Sequence, residues 1–236
     1  MTTSAQLIVA LDYPELDSAR KLVKELQGLV QIYKVGSELF TAQGWEAVEL
    51  VHRSGAKVFL DLKLHDIPTT VARTSRVIAE RGIFMFNVHA SGGVEMMRAA
   101  RTAVDEISLK KGESPLLIAV TVLTSLEERV LSRDLGVQRP LREQVLALAR
   151  LAQSAGLNGV VCSPEETEFL RKELGKEFIL VTPGVRPAGR ARDDQSRVAT
   201  PQEAVRRGSN YLVVGRPVTA VPDPRAAASD ILQSLA

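Results

Sequence analysis

The run LLIAVTVL at residues 116–123 and its companion YLVVG at 211–215 decide the fold. Both are apolar on consecutive positions instead of alternate ones. A strand with one wet face alternates, whereas a strand covered on both faces does not, and such covering marks a parallel sheet flanked by helices. Working outward from these two runs, short apolar, β-branched segments bounded by turn residues predict strands at 7–12, 32–36, 57–63, 85–90, 116–123, 159–163, 178–183 and 211–215.

The segments between them read as helices. Leu141, Val145, Leu148, Ala149 and Ala152 recur at helical spacing across 140–156, as do Val94, Met97, Ala100, Val104 and Ile107 across 93–108. Each set presents one apolar stripe to a sheet. Pro68, Pro164, Pro201 and Pro224 stand where further helices should begin, since proline suits a first helical turn. Strict alternation of strand and helix predicts an α/β protein, and eight units favour one closed (β/α)8 TIM barrel spanning 1–236. An open doubly wound sheet is the alternative, but no Gly-x-Gly-x-x-Gly follows any strand. Two connections, 124–139 and 184–200, are longer than packing requires, and the second is a candidate lid.

Composition narrows the function. Thirty basic against twenty-eight acidic side chains leave a net charge of +2, which gives no footprint for nucleic acid or an anionic membrane. The lone cysteine, Cys162, cannot form an internal disulfide, and MTTSAQLIVALDYPELD lacks the layout of a signal peptide. No apolar run approaches the roughly 18 residues that cross a bilayer. A soluble cytoplasmic protein is the expectation.

In a barrel of this kind the reactive groups stand at the carboxyl ends of the strands. Here those ends carry Asp12, Lys34, Asp61, Lys63, Asp66, His89 and Thr124, and the seventh and eighth lead into Pro183, Gly184, Arg186, Gly215 and Arg216. Asp61 and Lys63 are two apart on a strand, so regular pleating would point both into the barrel with Cα atoms about 6.6 Å apart. Buried charges need partners, and Lys34, Asp12 and Asp66 supply them. A short Asp-x-Lys-x-x-Asp pattern also occurs as a structural ion pair or by chance; its place among other strand-end charges favours a site. Phosphate is the expected handle, held after strands seven and eight by Gly215, Arg216 and Arg186, with Gln195 as a further donor. Arg190, Arg192 and Arg197 read as a solvated loop face. His89 reads as a hydrogen-bonded strand-end histidine in preference to a base, Cys162 and Ser163 as packing because no histidine lies nearby to activate them, and Trp45, Met96 and Met97 as helix packing.

FLDLKLHDIPTT at 59–70 resembles the signature of the orotidine 5′-phosphate decarboxylases. The resemblance continues through VALD at 9–12, YKVG at 33–36, NVHASGG at 87–93, TVLTS at 121–125, VTPGVRP at 181–187, DDQSRVATP at 193–201 and VVGRPV at 213–218. It implies that Lys63 donates a proton, that Asp61 faces the substrate carboxylate, and that Lys34 and Asp12 complete the array and contact ribose. It also implies that Thr124 contacts the pyrimidine, while Arg186, Gln195, Gly215 and Arg216 hold the phosphate and Pro183 lines the site. The protein would be a homodimer in which Asp66 and Thr70 enter the partner's site.

The implied substrate is a pyrimidine nucleotide, and neither a pyridoxal lysine site nor a thiamine site is apparent, so no cofactor and no metal are expected. Two other readings share these features. A metal-assisted sugar-phosphate decarboxylase or aldolase would need an acidic metal ligand near the array; a non-catalytic nucleotide-binding barrel would bind without releasing CO2.

Overall fold

The computed structural model describes residues 5–186 and 199–235. Among them eight strands close into a barrel in chain order: β1 (Gln6–Ala10), β2 (Ile32–Gly36), β3 (Lys57–Leu64), β4 (Met85–His89), β5 (Leu116–Val120), β6 (Gly159–Val161), β7 (Ile179–Thr182) and β8 (Tyr211–Val214). Every neighbouring pair is parallel, and β8 returns to β1 with Leu7 opposite Leu212 and Val9 opposite Val214. The expected (β/α)8 architecture is the one observed.

Helices form where the apolar spacing places them. Leu141–Ser154 buries Val145, Leu148, Ala149 and Ala152, and Gly93–Lys111 buries Met97, Ala100, Val104 and Ile107. Pro68, Pro164, Pro201 and Pro224 each open a helix, where the missing N–H removes no intrahelical bond. The connection 124–139 is not bare loop: it contains the helix Glu128–Arg133, which buries only Leu131 and is too short to show periodicity. Among the described residues no helix is long and apolar enough to cross a membrane.

Apolar side chains collect in two places. One cluster lies between barrel and helices; the other fills the barrel with Ile8, Ala10, Ile32, Phe59, Met85, Ile118, Val181 and Val213. Because side chains alternate along a strand, the inward position two residues beyond each of these faces the same interior, nearer the carboxyl mouth. There Ala10 gives way to Asp12, Ile32 to Lys34, Phe59 to Asp61 and Met85 to Asn87. The interior is therefore oily at its floor and charged at its mouth.

The opposite end is fastened by Arg171. Its guanidinium donates to the carbonyls of Gly175, Lys176, Phe178 and Gly208 and to Oδ1 of Asn210, tying the entries of β7 and β8 to the helix Pro164–Leu174. Asn210 Oδ1 also accepts from Leu180 N–H. Arg171→Ala is expected to cost about 3 kcal/mol by stranding these acceptors, lowering Tm by about 6–12 °C for a domain of this size. Because Arg171 lies far from the mouth, differential scanning calorimetry should register the loss while kcat stays unchanged.

Candidate active site

At the carboxyl mouth, four charged side chains from three strand ends form an alternating row. Lys34 Nζ lies 2.8 Å from Asp12 Oδ1 and 3.6 Å from Asp61 Oδ2, and Lys63 Nζ lies 2.8 Å from Asp61 Oδ1. Lys34 and Asp61 are both buried. Burial disfavours the charge on Lys34, but Asp61 and Asp12 outweigh it and raise its pKa above the ordinary lysine value. Burial likewise opposes the Asp61 carboxylate, yet Lys34 and Lys63, with hydrogen bonds from Lys63 and Asn87, hold it below the usual carboxylate range. Each buried charge exists because its neighbour does.

Lys63 reaches this position by an irregular route. Its φ is +53°, the only positive value at a non-glycine residue among the described ones, a conformation that costs on the order of 1–3 kcal/mol. The β3–β4 register breaks there, with Leu60 opposite Phe86 but Leu64 opposite Val88. The expectation that plain alternation places Asp61 and Lys63 side by side is thus corrected: they are neighbours, but across a bulge. In the gap, Lys63 N–H donates to Asn87 Oδ1 at 2.8 Å, and Asn87 Nδ2 donates to Asp61 Oδ1 at 2.7 Å.

The row lines a cavity of about 330 Å³ that also takes in Thr124, Pro183, Arg186, Gly215 and Arg216. Nine of the expected residues therefore meet in one place: Asp12, Lys34, Asp61, Lys63 and these five. The rest of the wall is mostly apolar, including Phe59, Val122, Leu123, Val161 and Val213. A small, half-apolar pocket with a few convergent charges is the usual form of a ligand site. Arg186 is buried beside Val185, which bridges to Ala199.

Asp66 and Thr70 do not join the cavity. Both lie on the exposed stretch 65–70, and Asp66 Oδ1 instead accepts from the N–H of Ile67. Reading Asp66 as a charge partner within its own barrel is therefore corrected: the turn into the helix Pro68–Glu80 carries it outward. Gln195 falls outside the described residues, as do Arg190, Arg192, Arg197 and most of the 184–200 connection.

His89 does not line the cavity. Its ring packs against His65, with centroids 5.4 Å apart. Burial, the His65 ring and the Lys63 ammonium lower its pKa. Among the described residues it has no hydrogen bond of the kind its sequence position suggests. Cys162 and Ser163 are fully buried, in keeping with packing.

Two residues escaped the sequence reading. Asn87 lies inside β4 and not at the strand end where the charges gather, although a polar residue at the inward position of MFNVH is itself a signal. Gly36 is the other: a Cβ there would lie 2.7 Å from Lys34 Nζ, so its bareness makes room for the ammonium. Among the described residues, no group of three or more His, Cys, Asp or Glu side chains is set to hold a metal ion.

A closed parallel barrel with a charged, half-buried pocket at its carboxyl mouth defines a (β/α)8-barrel protein built on the plan of the barrel enzymes. Residues 5–231 match the profile of the orotidine 5′-phosphate decarboxylase / HUMPS family, and the chain belongs to that family. It is 51% identical to the orotidine 5′-phosphate decarboxylase of Moorella thermoacetica over 98% of this chain and 92% of that one. The Photobacterium profundum protein of the same name is 50% identical, covering 98% of each chain. The crystal structure of orotidine 5′-phosphate decarboxylase from Lactobacillus acidophilus superposes with a TM-score of 0.86 at 38% identity, over 98% of this chain and 99% of that one.

Proposed function

We propose that this chain converts orotidine 5′-monophosphate to uridine 5′-monophosphate in de novo pyrimidine biosynthesis, without a cofactor, and that Lys63 protonates C6. The observation that carries the proposal is the row Asp12–Lys34–Asp61–Lys63 lining the same pocket as Gly215, Arg216 and Arg186. The family and the names of the full-length relatives supply the substrate class.

Arg186, Arg216 and Gly215 take the phosphate, with Pro183 beside them and Gln195 as a further donor. Asp12 and Lys34 meet the ribose, and Thr124 the pyrimidine. Asp61 faces the substrate carboxylate. The bond from C6 to the carboxylate breaks heterolytically: CO2 leaves and the electron pair stays on C6. Lys63 stabilises that pair as an ammonium and then transfers a proton to it, becoming a neutral amine that solvent reprotonates. Preorganised charge is an economical device here, because the fixed row needs no reorientation as the carbanion forms.

The decisive assay follows the loss of orotidine 5′-monophosphate absorbance, with and without chelator. Turnover undiminished by chelator supports the proposal, and absence of turnover overturns it.

We further propose a cytoplasmic homodimer in which Asp66 and Thr70 complete the partner's site. The exposure of 65–70 supports this, as does Ile67 between them, an apolar side chain 66% exposed. Specific activity should then fall on dilution, in step with dissociation seen by analytical ultracentrifugation. Constant specific activity from a monomer would defeat the shared site.

A further inference from the structure

Asn87 is buried on β4 and does not line the cavity, so it cannot touch a substrate lodged there. Its amide is nevertheless committed in two directions, to Asp61 Oδ1 and to the backbone N–H of Lys63. The partners dictate its orientation: a carboxylate only accepts and a main-chain N–H only donates, so Nδ2 must face Asp61 and Oδ1 must face Lys63. The bond to Lys63 falls at the break in the β3–β4 ladder, at the residue whose backbone is left-handed. A side chain thus takes the place of the missing main-chain partner.

We propose that Asn87 is a positioning residue for decarboxylation, locking the Asp61 carboxylate and the left-handed Lys63 backbone into one frame that aims the Lys63 ammonium at the reacting carbon. This rests on the reading of Lys63 as proton donor. Without the amide, the bulge loses its anchor and Asp61 loses a donor, while the phosphate end of the pocket, built from β7 and β8, is untouched. The loss should fall on kcat and spare KM.

The test uses Asn87→Leu, Asn87→Asp and the unaltered protein. Asn87→Leu, close in size but without either hydrogen bond, should keep its circular dichroism spectrum and a KM within about threefold of normal, while kcat falls about 10- to 100-fold, the scale of an ångström-sized misplacement. Asn87→Asp separates positioning from packing. Its ionised carboxylate accepts from Lys63 N–H but cannot donate to Asp61 and repels it; once protonated, the carboxyl donates and accepts as the amide does. Turnover by Asn87→Asp, divided by that of the unaltered protein, should therefore rise as pH falls from about 8 to about 5. The charged and titratable neighbours are Asp61 and Lys63 on β3, Lys34 on β2, His89 on β4 and His65 beyond β3. All are present in both proteins, so the ratio isolates the introduced carboxyl.

Unchanged kcat in Asn87→Leu, or a ratio for Asn87→Asp that is flat with pH, would overturn the inference. If Asn87→Leu does not fold, the pH ratio decides alone. Failure of the functional reading is distinguishable: it appears as no turnover by the unaltered protein.

Discussion

Lys63→Ala is expected to lower kcat for orotidine 5′-monophosphate by at least about 10⁴-fold, combining loss of a general acid with loss of a charge beside the developing carbanion. The variant should fold. Asp61 keeps Lys34 at 3.6 Å and the hydrogen bond from Asn87, and the Lys63 side chain is 35% exposed, so its removal opens no sealed cavity. Alanine keeps a Cβ, so the backbone strain at φ +53° is carried over unchanged, and the bond from Lys63 N–H to Asn87 Oδ1 that accompanies it uses the main chain and is kept. The measurement is single-turnover absorbance decay at saturating substrate, with Tm recorded in parallel. A loss below tenfold in a folded variant would remove Lys63 from the chemistry.

Arg216→Ala should cost about 10²- to 10³-fold in kcat/KM, the range for losing one charge-assisted contact to a bound dianion, or about 3–4 kcal/mol. Decarboxylations without an electron sink can demand on the order of 20 kcal/mol of barrier reduction, whereas one acid or one fixed donor supplies about 3–5. Binding energy from the unreactive phosphate must therefore be realised at the transition state. Arg216 lines the same cavity as Lys63 but stands at the end of β8, away from the β3 bulge. The informative comparison uses the phosphate-free nucleoside: the unaltered protein and Arg216→Ala should process it equally slowly, since neither has a phosphate to hold. Equal kcat/KM on the nucleotide itself would exclude Arg216 from phosphate recognition.

The barrel was legible because strands buried on both faces cannot hide their composition, and β2 coincides with its expected range at Ile32–Gly36. The strand ends were less legible. LLIAVTVL reads as one strand to residue 123, yet β5 stops at Val120 while Val122 and Leu123 line the pocket. An apolar side chain that packs in a core and one that walls a substrate cavity look alike in a string of letters. Asp12, Lys34, Asp61 and Lys63 were legible as a set because unpaired charge at a barrel mouth is costly, so each announced the need for the others. Asn87 was not, because an amide carries no such demand, and its value depends on a bulge in the neighbouring strand. The outward course of Asp66 was hidden for a related reason: spacing from Lys63 fixes position along the chain, not the direction taken after the strand ends.

The break in β3 bears on anyone wishing to build such a site elsewhere. Transplanting Asp-x-Lys onto an ideal, evenly laddered strand would reproduce the letters and miss the shape. The transferable unit is two-stranded: an interrupted β3 with its lysine in a left-handed turn, and an adjoining strand offering an amide at the matching height.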